Sequence, residues 1–280
     1  MKQLIAIILL VVLAGCGHKE AQSHRYSDNA TAHRQAEPPK PEHIQVLDKV
    51  NDAITRIHTF KANVSSVTRK RAVTITASGQ FFYQQERNAR LVLHAAVDNR
   101  LSTDMGSNAN DFWFFNRRVN GREMYYCAYA NESQARLQDM FDPAWMIKSL
   151  NLRPINQDNL KAEKQGKNWI YAQPTLTSRQ QERICIMTVD PTRSAITAHY
   201  LQTRNKQLIA SMIITSFAKV DGIYVPKSIE IYWPGEEIRI SWQFSGIVIN
   251  KPINPVTFSM PELGLRKANL ATGTFRNIND

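Results

Sequence analysis

Cysteine is nearly absent from this sequence: Cys16, Cys127 and Cys185 are the three in 280 residues. No pair forms a CxxC and no His/Cys cluster has zinc-ligand spacing, so no metal and no other cofactor is expected. Also missing are G-x-S-x-G, H-E-x-x-H, G-x-x-x-x-G-K-S/T and G-x-G-x-x-G, the spacings that place nucleophiles, zinc-bound water, phosphates and dinucleotides. Outside the N-terminal tail, His58 falls at a helix end, while His94 and His199 lie in strands with no adjacent Ser, Cys or Asp of evident role. Asp98, Asp104 and Asp111 surround a hairpin and read as solvated loop carboxylates. The expectation is a protein that is not an enzyme. After Cys16 no stretch has the length and apolarity of a membrane span, which needs about 20 residues.

One long apolar run does exist, at the start. Lys2 gives a positive n-region, Leu4 to Leu13 is apolar for about ten residues, and small residues precede Cys16. That is too short to cross a bilayer and has the form of a signal peptide. Its end, Leu13-Ala14-Gly15-Cys16, resembles the lipobox of bacterial lipoproteins. The resemblance implies cleavage before Cys16, with diacylglyceryl and palmitate chains on that residue. Gly17, rather than Asp, after the cysteine implies the outer membrane by the enterobacterial sorting rule. Residues 1–15 are then the signal peptide. Residues 16–41, polar and closing on Pro38-Pro39-Lys40-Pro41, are a flexible tether with an r.m.s. span of about 25–30 Å.

Acidic residues are outnumbered, 24 against 35 Lys plus Arg. In an exported chain this surplus points to anionic lipid surfaces or acidic envelope polymers rather than nucleic acid. The densest clusters, Arg69-Lys70-Arg71 and Arg117-Arg118, fall at expected turns. Cys127 and Cys185 could pair outside the cytoplasm, but both sit in strand-like runs where buried free thiols are common.

Residues 42–280 form the folded body. Ile44, Leu47, Val50, Ile54 and Ile57 make a helical stripe. Runs of period two follow at Thr59–Thr68, Val73–Gln84, Ala89–Asp98, Leu101–Met105, Asp111–Arg117 and Glu123–Ala130. A broken helix spans Ser133–Leu150, interrupted at Pro143. Strands resume at Trp169–Gln173, Arg183–Val189, Ala195–Gln202, Gln207–Lys219, Ile229–Trp233, Ile238–Phe244 and Val256–Met260. No helix separates successive strands, which excludes parallel βαβ units. A meander of a dozen strands must curl, so the fold class is mainly β: a long antiparallel sheet curled into an unclosed half-barrel with helical lid segments.

This arrangement resembles the LolA/LolB-like superfamily, as do Gly106-Ser107-Asn108 leading to Phe112-Trp113-Phe114 and the closing stretch Pro252-Ile253-Asn254-Pro255 to Phe258 and Pro261. The resemblance implies a hydrophobic cavity under the lid and an envelope lipoprotein in lipoprotein sorting or lipid handling. Its partners would be a lipid or acylated lipoprotein and the membrane through the anchor. An alternative is an envelope sensor or scaffold that binds a partner protein with the same fold. A cavity for acyl chains needs apolar side chains on the concave face. The candidates are Phe82, Phe112, Phe114, Tyr126, Ile231, Trp233, Trp242 and Phe244, with Met140, Trp145 and Met146 on the lid. Which strand face is concave stays open: Phe112 and Phe114 could exchange with Trp113 and Phe115.

Overall fold

The computed structural model describes residues 39–118, 123–134, 143–176, 182–262 and 266–271. Cys16, Met140, the expected signal peptide and nearly all of the expected tether lie outside them. The unit Lys40–Asp280 holds every described element, with its own apolar cores.

Helix α1 spans Glu42–Thr55 and buries Val46, Leu47, Val50 and Ile54. It is followed by β1 Thr59–Lys70, β2 Val73–Gln84, β3 Asn88–Ala95, β4 Leu101–Ser107, β5 Asp111–Asn116 and β6 Glu123–Ala128. A 3-10 turn at Tyr129–Gln134 takes the end of the expected strand and only the first two residues of the expected broken helical segment. The short helix α2, Pro143–Ser149, lies within that segment, of which residues 135–142 are outside the described residues. Then come β7 Lys161–Gln165, β8 Asn168–Leu176, β9 Glu182–Asp190, β10 Ala195–Thr203, β11 Leu208–Val220, β12 Ile223–Trp233, β13 Ile238–Ile249 and β14 Arg266–Asn269.

All fourteen strands join one sheet in the order β14-β6-β5-β4-β3-β2-β1-β13-β12-β11-β10-β9-β8-β7. Every pairing is antiparallel except β14 with β6, and the sheet is not closed into a barrel. Tight turns set the registers. Asp221 and Gly222 both have positive φ between Val220 and its partner Ile223, as a two-residue hairpin on a right-twisted ladder requires. Two glycines permit close approach: a Cβ at Gly79 would lie 1.8 Å from the Val92 carbonyl oxygen, and one at Gly106 would lie 2.3 Å from the Trp113 indole.

Three sequence expectations change. Val256–Met260 is not a strand. Pro255 starts a 3-10 turn there, and the Asn254 side chain accepts from the Val256 amide. Strands β7 and β14 were not expected, because β7 is almost wholly exposed and β14 has only four residues. Asp104 is not solvated. It is 1% exposed, bridges Arg90 with Nη2–Oδ2 at 2.7 Å, and accepts from Trp113 Nε1 at 3.0 Å.

The concave face carries two cores. Around β1–β3 and β11–β13, Phe60, Phe81 and Phe244 pack edge to face or tilted within about 6 Å. Under α1, the aliphatic stripe meets Trp169, Tyr171, Met187, Val189 and Ile196. Asn51 exchanges both side-chain hydrogen bonds with the Ile155 backbone, and Tyr171 Oη donates to the His43 carbonyl at 2.7 Å. These bonds fix α1 over the β8–β10 end of the sheet. Cys127 and Cys185 are free and buried, and burial pushes both thiols upward, which keeps them protonated and inert.

Candidate functional site

The site grows out of the period-two alternation of β1 and its neighbours. Phe60, Ala62 and Val64 point inward, and the same row continues as Ser66, Thr68 and Lys70. Register carries this polarity change across the sheet: Ser66 faces Ala77 and Trp242, Thr68 faces Ile75 and Ile240, and Lys70 faces Val73 and Ile238. One half of the concave face is therefore packed core. The other half is apolar at depth and polar toward the strand ends.

Helix α2 lies over the junction between the two halves. Trp145, Met146 and Ile147 are buried against the sheet, with the Trp145 ring 6.3 Å from that of Trp233. Asn151, at φ 60, ends the helical path, and its side-chain amide donates to the Ile196 carbonyl at 2.9 Å. Tyr83 Oη donates to the Leu152 carbonyl. Burial pushes the Tyr83 phenol up to about 12, so it stays a donor at any physiological pH. The lid is thus pinned at its C-terminal end.

Between lid and sheet is a cavity of about 460 Å³. Leu91, Leu93, Met105, Phe114, Met146, Trp233, Ile238, Ile240 and Trp242 form its apolar wall. Ser66, Thr68, Lys70, Arg71, Thr103, Asn116 and Arg118 stand toward its mouth. A smaller void of about 30 Å³, lined by Phe112, Phe114, Met146 and Ile147, lies deeper. The size and lining fit an apolar ligand with one polar end.

Of the candidates from sequence, Phe114, Met146, Trp233 and Trp242 line the cavity. Trp145, Ile231 and Phe244 back it as buried core, and Phe112 lines the smaller void beside Tyr125, Cys127 and Leu270. Two candidates are displaced. Phe82 lies on the convex face with Lys61 Nζ 5.5 Å over its ring, since Phe81 and Tyr83 take the inward positions. Tyr126 also lies outside, opposite Trp113 and against the Trp113, Phe115 and Met124 cluster. The open choice at β5 resolves to Phe112 and Phe114 inside. The polar row Ser66, Thr68 and Lys70 was missed, although a strand whose inward residues turn from apolar to hydroxyl to ammonium carries that signal.

The two motif stretches meet on the convex face. Asn108 Nδ2 donates to the Phe258 carbonyl at 3.2 Å, Arg90 Nη1 donates to the Thr257 carbonyl at 3.0 Å, and Met260 packs on the Trp113 cluster. They brace β3–β5 from behind; of the residues in these stretches Phe114 lines the larger cavity, while Gly106, Ser107, Phe112, Trp113 and Phe114 line the smaller void. His199, on β10, lies away from the cavity. It is fully buried between Met187 and Met212, and neither ring nitrogen has a partner among the described residues.

No protein-family profile and no curated protein matches the chain. Solved structures do share its fold. A DUF1329 family protein from Desulfovibrio piger superposes with a TM-score of 0.54 at 9% identity, covering 80% of this chain and 98% of that one. A LolA superfamily protein from Nitrosomonas europaea gives 0.51 at 12% identity, over 78% and 97%. A proposed outer membrane lipoprotein-sorting protein domain from Vibrio parahaemolyticus gives 0.51 at 8%, over 76% and 95%. At such identities the likeness is one of fold, and the unclosed antiparallel half-barrel expected from sequence is the fold observed.

Proposed function

We propose that this chain is a membrane-held envelope lipoprotein that binds acyl chains of a lipid or an acylated lipoprotein. Its part would be in lipoprotein sorting or lipid handling at the periplasmic side of the outer membrane. The observation that carries the reading is the apolar cavity of about 460 Å³ beneath α2. Two structures of the same fold bear the names of the LolA superfamily and of lipoprotein sorting, which supports the same reading. Burying an acyl chain returns roughly 25 cal/mol per Å² of apolar surface, so several hundred Å² supply several kcal/mol without any reacting group. Cys16 would carry the anchoring chains, and two or three chains hold a protein stably where one gives marginal binding. The reading is of a receptor on a tether, with no catalytic step.

The Lys40–Asp280 unit, purified without added lipid, is expected to retain lipid in native mass spectrometry or to take up a fluorescent fatty acid after delipidation. A unit that carries no lipid and takes up none would refute the reading and leave a partner-binding scaffold in its place.

A further inference from the structure

The two ends of the cavity differ in chemistry. Leu91, Met105, Phe114 and Met146 make the deep wall apolar, whereas Lys70, Arg71 and Arg118 bring three cations to the mouth. Two of these are paired across the rim: Lys70 with Glu236 at 3.4 Å and Arg71 with Glu237 at 3.0 Å. Arg118 is exposed and pairs with no carboxylate among the described residues. The rim therefore holds a surplus cation that an incoming anion can meet.

A second observation is independent of charge. Trp233 shares a cross-strand row with Lys70, since both face Ile238 from its two sides. It lines the cavity at 5% exposure, and its buried indole N–H meets no acceptor among the described residues. Trp242, deeper in the same wall, is satisfied by Ser66 Oγ at 3.1 Å. A buried donor without an acceptor costs about 1–3 kcal/mol, and a ligand oxygen at this level would remove that cost.

We infer that the cavity is built for an anionic amphiphile: an alkyl chain against the deep wall and an anionic oxygen head group at the Lys70–Arg71–Arg118 rim, with an acceptor oxygen for the Trp233 N–H. This rests on the acyl-binding reading and sharpens it to a ligand class. A carboxylate and a phosphodiester share that chemistry, so a free fatty acid and a phospholipid are its two sources. Because the rim is partly exposed, the preference should shrink at high salt, since the screening length falls to about 3 Å at about 1 M.

The test is displacement of a fluorescent acyl probe from the Lys40–Asp280 unit by palmitate, lysophosphatidylglycerol and neutral monopalmitoylglycerol. The anionic competitors are expected to act at about tenfold lower concentration than the neutral one, the scale of one charge-assisted hydrogen bond. The more effective of the two names the source. In the Lys70→Gln/Arg118→Gln variant the preference should vanish, the anionic competitors falling to the level of monopalmitoylglycerol, and a cooperative thermal unfolding transition shows that the variant is folded. Equal displacement by all three, or a variant that keeps the full preference, overturns the inference and leaves acyl binding intact. Absence of probe uptake overturns the acyl-binding reading beneath it.

Discussion

His199 shows how a single side chain can set a pH limit. Burial among Met187 and Met212, reinforced by the charge of Lys148, lowers its pKa to about 3. The unfolded chain takes up this proton near 6.5 and the folded chain does not, so stability is lost as pH falls from 6.5 toward 3. Across the first two pH units the loss should be about 2 kcal/mol. Urea titrations at pH 7 and 4.5 should show a smaller decline in His199→Leu; an identical decline in both proteins would remove His199 as the cause. Asp104 sets a different limit. Arg90 and the Trp113 indole both donate to it in a buried site, so Asp104→Ala strands two donors and should cost about 3–5 kcal/mol in urea denaturation. A loss below 1 kcal/mol would mean that water reaches the pair.

At the scale of elements, the two helices have unequal duties. Helix α1 was legible because its apolar residues recur at helical spacing, and it buries four of them on Tyr171, Met187 and Ile196. Leu47→Ala should therefore cost about 2–5 kcal/mol, read from thermal or urea unfolding. Strands with a clean inside–outside alternation were equally legible. Those without it were not. Strand β7 tucks in only Ala162, and β14 exists because β6 offers an unpaired edge. The first residues of β12 escaped notice because Pro226 breaks the pattern, and the sheet admits it at a register irregularity opposite Phe217.

The scale of the whole molecule is where the proposed membrane tether is tested. If Cys16 is the anchor, Cys16→Ala should abolish palmitate labelling and release the protein from membranes into the soluble fraction. Continued labelling would remove the anchor from the proposal. The basic surplus belongs to this scale too, since it favours an anionic lipid surface as neighbour.

By itself the sequence determined that the chain makes an antiparallel meander with an amphipathic helix, because side-chain periods of two and near four are local properties. It also carried the short apolar run ahead of Cys16 on which the proposed anchor rests. It could not decide which face of β5 lines the cavity: Phe112–Phe115 are all apolar, because the lid covers one side and the Pro255–Met260 segment the other. Only the tertiary structure placed Phe82 and Tyr126 outside and gathered Lys70, Arg71 and Arg118 at one mouth. Burial on both faces erases the alternation that would have told inside from outside, and a rim assembled from separate turns has no signature in any one of them.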